Sequence, residues 1–286
     1  MNGGIDLHMH TKYSDGTDSE TELLERLRRE GINFFAVTDH DTIEGAMRVK
    51  NIVPEDMKFV AGIEFSCKTV DGGKVHILGY GYDENNSDFR AAIDEGRKMR
   101  AVKLEGRLEH LKNDHGIIFS DEDYDYIRSL TSSGKPHLAA LLVKRGYAAD
   151  KKSAIEKYID DKNGMSASTR IPSENAMYGI AEAGGIPVWA HPLGGINERH
   201  LTEEEFDTRL KVLMNEGLRG LECWYSLYNE SEISFLVKRA EENGLLISGG
   251  SDYHGKNKRV SPGELNAFGK AIDKEELSLV KELNFS

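Results

Sequence analysis

A chain of 286 residues with 38% hydrophobic and 30% charged side chains has an ordinary soluble globular composition, long enough for one large α/β domain or a domain carrying an insertion. The formal net charge of −12, with no block of Lys and Arg, disfavours a long nucleic-acid duplex as partner. It leaves room for a small phosphorylated substrate, because a local cation cluster can reverse the field inside one cleft.

No run of about 18 apolar residues is present, so no membrane span is expected. The opening "MNGGIDLHMH" lacks the basic and apolar regions of a signal peptide, which predicts a cytoplasmic location. Cys67 and Cys223 lie in strand-like stretches without CxxC spacing and read as buried, reduced thiols.

In chain order the predicted strands are IDLHMH, NFFAVTD, KFVAGIEFSC, VHILGYGY, IPVWAHP, RGLECWY and LLISGGSD. Between them recurs an amphipathic helix, then a glycine, then a strand, with Gly31, Gly184, Gly217 and Gly244 at the left-handed position that ends a helix. Ser19 with Glu22 and Thr202 with Glu205 are capping-box pairs. This alternation predicts a mostly parallel sheet covered by helices, and seven strands suit a closed or nearly closed barrel. Asp71-Gly72-Gly73 reads as a hairpin turn, which makes the fourth strand antiparallel and the barrel irregular there.

From Tyr82 to about Gly164 the rhythm stops, and helices are predicted at 87–112, 120–130, 136–145 and 153–161. Ser120 serves as a cap and Pro136 as a first-turn proline. The expected organisation is a barrel over 1–82 and 164–286, with a helical insertion over 83–163 covering its mouth. Asp41 or Thr42 is expected to cap the helix after "TDHDT", and Pro172 to start another.

In a parallel barrel, function gathers where strands end. Those ends carry His8, His10, His40, Glu64, His191, Asp252 and His254, with Asp15 in the first loop and His76 returned to the same edge by the hairpin. Each piece has an ordinary explanation: H-x-H can be hydrogen-bonded barrel histidines, "AHP" a proline turn, and Glu64 or Asp252 a partner for a buried base. Their coincidence at one rim is harder to explain that way, since burying so many ionisable groups together without a cation is costly. Imidazole plus carboxylate without thiolate suits Mn, Fe or Zn, and nine donors suit two or three divalent ions.

"DLHMHTKYSDG", "VTDHDT", "GIEF", "AHP" and "GGSDYH", in order from Asp6 to His254, resemble the PHP family, named for polymerase and histidinol phosphatase domains. The resemblance implies a distorted (β/α)7 TIM-like barrel and hydrolysis of phosphate esters by attack of a metal-bridging hydroxide, with manganese the favoured ion. It implies one ion at His8, His10, Glu64 and Asp252, a second at Glu64, His76 and His191, and a third at Asp15, His40 and His254. Asp252 could also accept the nucleophile's proton.

"GKPHLAALLVKRG" resembles the "RPH" segment of the branch acting on nucleoside 3',5'-bisphosphates, short RNA ends or small cyclic phosphates, with Lys135 in place of the usual arginine. Lys135 and His137, with Arg145 and Arg170 as guanidinium clamps, are the candidate phosphate-binding residues. The expected substrate is a small phosphorylated metabolite, a nucleoside 3',5'-bisphosphate first. The alternatives are a cyclic phosphodiesterase acting on a small ring phosphate, a 5'-3' exonuclease on short oligoribonucleotides, an amidohydrolase, and a metal-stabilised scaffold without turnover.

Overall fold

The computed structural model describes residues 4–159, 169–196, 198–269 and 272–283. The chain runs β1 (Gly4–Asp6), α1 (Glu20–Glu30), β2 (Ile32–Val37), α2 (Glu44–Lys50), β3 (Lys58–Lys68) and β4 (Lys74–Tyr80). A helical stretch follows: α3 (Ser87–His115), α4 (Asp121–Ser129), α5 (Lys135–Lys144) and α6 (Lys151–Ala154), the last continuing as a π-turn over Ile155–Ile159. The βα rhythm then resumes with β5 (Ile171–Pro172), α7 (Ser173–Glu182), β6 (Ile186–Trp189), α8 (Glu203–Asn215), β7 (Gly220–Tyr225), α9 (Glu230–Glu242) and β8 (Leu246–Gly250).

The strands pair in the order β1-β2-β3-β4-β6-β7-β8, with β5 beside β3, and this makes the distorted barrel that the sequence predicts. Two details differ. A two-residue strand, β5, adds an eighth member and takes in Pro172, so the following helix starts at Ser173. The seam between β8 and β1 is not a continuous ladder: Leu7 N–H donates to Gly249 O (3.2 Å), Asp252 N–H to His8 O (2.8 Å) and His10 N–H to Tyr253 O (2.8 Å). His8 and His10 therefore lie in extended chain beyond β1, whose regular pairing stops at Asp6. The Asp6 carboxylate accepts from His8 N–H and Ser251 N–H, tying the two strand ends through a side chain.

β4 runs antiparallel to both β3 and β6, with Ser66 opposite His76 and Glu64 opposite Leu78. One face of the strands packs Leu7, Ala36, Val60, Leu78, Tyr80 and Val188 against Leu265, Leu277, Leu279 and Leu283 from the C-terminal segment. The other face buries alternate residues under the helices, as period-two side-chain alternation requires: Phe35, Val37 and Phe59 lie under α1 and α2, and Leu221, Cys223 and Trp189 under α8 and α9. Phe206 of α8 is fully buried and stacks on Trp189 at 5.2 Å. Phe206→Ala is expected to cost about 3–5 kcal/mol, read as a lowered denaturant midpoint at unchanged m-value.

α3 to α6 gather around an apolar cluster of their own, including Leu108, Leu111, Phe119, Ile127, Leu138 and Leu142. The predicted helices are found here, with α3 longer than expected and ended by Gly116 at φ 65°. The fourth begins at Lys151 under an Asp150 cap rather than at Ser153, and its expected last two residues, 160 and 161, lie outside the described residues. Both capping boxes form, and Gly31, Gly184, Gly217 and Gly244 all have positive φ. Among the described residues no helix is long and apolar enough to cross a membrane.

Candidate metal centre

The nine predicted donors meet at one end of the barrel. Glu64, nearly inaccessible on β3, is the hub. Its Oε1 lies 2.8 Å from His76 Nδ1 and 3.2 Å from His191 Nε2. Its Oε2 lies 3.0 Å from His40 Nδ1, 3.1 Å from His10 Nε2 and 3.4 Å from His8 Nε2. Asp252 Oδ1 stands 3.6 Å from His8 Nε2 and 3.4 Å from His10 Nε2. Asp15 Oδ1 is 3.0 Å from His254 Nε2, and its Oδ2 is 3.9 Å from His40 Nε2.

Three close donor groups result: His8, His10 and Asp252; His40, Glu64 and His76; and His10, Asp15, His40 and His254. The partition differs from the one the resemblance implies at four residues. His40 joins Glu64 and His76 as well as Asp15, His10 belongs to two groups, Glu64 falls outside the group of His8, His10 and Asp252, and His191 falls outside all three, although it stands 3.2 Å from Glu64.

Donors at ~2.1 Å from a shared ion stand about 3.0–3.4 Å apart in octahedral or tetrahedral geometry, and the separations here, 2.8–3.9 Å, bracket that spacing. Asp15 Oδ1, His40 Nδ1 and Glu64 Oε2 are buried and make no well-directed hydrogen bond, although each stands 3.0 Å from a polar atom of another donor. Such orphans are rare and expensive in native proteins, and each is a competent ligand atom, so the residues fit divalent cations.

The electrostatics agree. Burial would raise the Glu64 carboxyl, but the charges of His40, His76 and His8 overrule it and hold it well below the usual range. Burial likewise opposes a charge on His10, yet Asp252, Glu64 and Asp15 push its pKa up to about 9. The pocket's carboxylates demand positive charge, which protons or metal ions can supply.

An outer layer sets tautomers. Glu222, fully buried, meets His8 Nδ1 at 2.9 Å through Oε1 and accepts from His191 N–H at 2.7 Å through Oε2. His254 Nδ1 lies 2.8 Å from the Asp252 carbonyl. An Nδ1 proton given to either acceptor leaves the Nε2 lone pair of that ring facing the cluster. Asp39 accepts from Thr11 N–H (2.8 Å), Thr11 Oγ1 (2.6 Å) and Ser14 Oγ (2.6 Å), which shapes the loop holding Asp15. Gly250 has to be glycine because a Cβ there would collide with His8 Cβ. His191 and Asp252 hold positive φ, 28° and 58°, as does Asp41 at 52°. Strain of this kind concentrates at functional sites.

Asp41 does not cap α2. Its Oδ1 accepts from Ser66 N–H at 3.0 Å and its Oδ2 from Arg100 Nε, while the helix begins after Ile43 without a side-chain cap. Thr42 Oγ1 accepts from Glu44 N–H at 3.2 Å as a local turn instead.

Among the candidate phosphate groups, Lys135 opens α5 and His137 Nδ1 accepts from Gly134 N–H at 3.0 Å, which places the ring proton on Nε2. Burial lowers the His137 pKa. Arg145 is engaged elsewhere, since its guanidinium grips Asp123 at 2.6 and 2.7 Å and joins α5 to α4. Arg170 lies directly before β5. Sequence reasoning missed Glu222, Lys258 and Arg100, and it placed Asp39 at a strand end beside His40 without a role. Glu222 on β7 carried a readable signal, a lone acid inside the apolar "GLECWY".

A PHP domain model matches residues 6–176. The chain is 28% identical over 259 residues to phosphoribosyl 1,2-cyclic phosphate 1,2-diphosphodiesterase of Eggerthella lenta, covering 89% of this chain and 95% of that one. It is 30% identical over 268 residues to 3',5'-nucleoside bisphosphate phosphatase of Chromobacterium violaceum, covering 91% and 88%. A solved structure of a Bifidobacterium adolescentis protein, assigned as a metal-dependent phosphoesterase, superposes with a TM-score of 0.82 at 27% identity, over 99% of this chain and 96% of that one. The chain belongs to the PHP domain family and is a metal-dependent phosphoesterase.

Proposed function

We propose that this chain releases phosphate from small phosphorylated metabolites, a nucleoside 3',5'-bisphosphate first among them, in the cytoplasm. His8, His10, Asp15, His40, Glu64, His76, His191, Asp252 and His254 would hold two or three divalent ions, manganese before iron or zinc. The observation that carries this reading is the trio of buried ligand atoms on Asp15, His40 and Glu64 that crowd together without a well-directed hydrogen bond. When bound, the ions supply Lewis-acid charge to the phosphoryl group and its nucleophile.

The chain's own residues do the rest. Asp252 Oδ2 is held by Tyr225 Oη at 3.0 Å and Lys258 Nζ at 2.5 Å, so Oδ1 is the oxygen turned toward His8 and His10 and the one that would meet an ion there. Residues 83–163 would form a cover over the barrel of 1–82 and 164–286. Three contacts support that: Thr131 Oγ1 to Glu44 at 3.0 Å, Lys151 Nζ to Asn257 at 2.6 Å, and Arg100 to Asp41. On this cover His137 feels the charges of Asp15 and Arg100, and with Lys135 it would serve the substrate's phosphate.

Removing metal with a chelator is expected to abolish phosphate release, and stoichiometric manganese is expected to restore it. A scaffold would lose melting temperature alone. Elemental analysis with a phosphate-release screen over adenosine 3',5'-bisphosphate, ribose 1,2-cyclic phosphates and short 5'-phosphorylated RNA separates the substrate classes. Turnover of none of them by metal-loaded protein would overturn the reading.

A further inference from the structure

Beside the donor cluster lies a cation, Arg170, two of whose three nitrogens, Nε and Nη1, make no hydrogen bond. Arg170 immediately precedes β5, whose Ile171 pairs with Cys67 of β3. Extending that register sets Arg170 beside Ser66, and Ser66 in turn faces His76 on β4. Arg170 Nε and Nη1 are buried and make no hydrogen bond, while the residue as a whole keeps partial exposure, so solvent or a ligand can reach it.

A permanently charged group buried without acceptors is among the most expensive arrangements a fold can keep. The carboxylates whose charge reaches it are Glu198 and Asp41. Both are engaged by other groups: Glu198 Oε2 accepts from Gly195 N–H at 2.9 Å, and Asp41 is bound by Arg100 and Ser66. Arg100 adds like charge, with its Nη2 donating to Ser66 Oγ at 2.9 Å. Among the described residues no carboxylate stands within ion-pair distance of Arg170. Two guanidinium groups thus converge at Ser66, one of them unneutralised, on the His76 side of the cluster. Guanidinium N–H donors left without acceptors in that position can be taken up by the oxygens of a phosphate.

We propose that Arg170 anchors a second phosphate of the substrate, remote from the bond that is cleaved, and so sets a preference for doubly phosphorylated molecules. The inference rests on the phosphoesterase reading above. The test compares adenosine 3',5'-bisphosphate with adenosine 3'- and 5'-monophosphate, using the full chain loaded with manganese. The wild type is expected to favour the bisphosphate in kcat/KM. Arg170→Ala is expected to reduce that preference by about 10–100-fold, the range for one lost charge-assisted contact, mainly through KM. Arg170→Lys should recover part of it.

Affinity of chelator-treated protein for the bisphosphate should fall by a similar factor in Arg170→Ala. The melting temperature should hold or rise, since an unpaired buried charge has gone. An unchanged preference, or an equal fall on mono- and bisphosphates with a lowered melting temperature, would overturn the proposal. Absence of hydrolysis of these nucleotides by the wild type, with Arg170-dependent binding intact, would instead sink the proposed nucleotide substrate and leave the anchor standing.

Discussion

Glu64→Gln is expected to lower phosphate release by about 10²–10⁴-fold and to leave the purified protein depleted of metal. The glutamine preserves the shape of the side chain, so the effect is electrostatic. Glu64 stands within 3.4 Å of five histidines, and both its oxygens are used. Removing one partner from a buried charge constellation costs roughly 3–5 kcal/mol, which transition-state arithmetic converts to that range. Elemental analysis and initial rates on one preparation check it. Retained metal with a normal rate would show that Glu64 does not bridge the centre.

Glu222→Gln should cost 10–100-fold in metal affinity, the usual effect of changing a group behind a ligand, although Glu222 touches no candidate ion position. The carboxylate can only accept, which keeps the proton of His8 on Nδ1. A glutamine amide that turns its oxygen to His191 N–H must turn its NH2 to His8 Nδ1. The imidazole then carries its proton on Nε2 and has no lone pair for a metal. Metal titration followed by activity reads this directly, and Glu222→Gln with wild-type affinity would refute the tautomer argument. The fold should survive, because the hydrogen-bond count is conserved.

Much of the architecture was legible in residue order because it is written in local chemistry. Glycines after helices, capping boxes and the Asp71-Gly72-Gly73 turn act over a few residues, and all were found as read. The convergence of the nine side chains was legible for a different reason: strand ends in a βα barrel share a rim, so residues scattered along the chain could be gathered without knowing any distance.

What escaped depends on tertiary partners. Asp41 looks like a helix cap in sequence, but Arg100, 59 residues later, draws it away. Arg145 looks like a phosphate ligand until Asp123 is seen in its grip. The sharing of His10 and His40 between donor groups depends on side-chain direction at sub-ångström scale, which no spacing rule carries.

The seam between β8 and β1 has a consequence for how the protein comes to life. Asp252 and His254 stand beside His8 and His10 across a junction of a few backbone hydrogen bonds, so the cluster joins the two extremes of the barrel's sequence. A chain emerging from the ribosome exposes its first two imidazoles long before the matching aspartate is synthesised. An ion held by that group would therefore be captured only after translation has passed residue 252, and choice among cellular metals would fall to a chain whose barrel strands are all made.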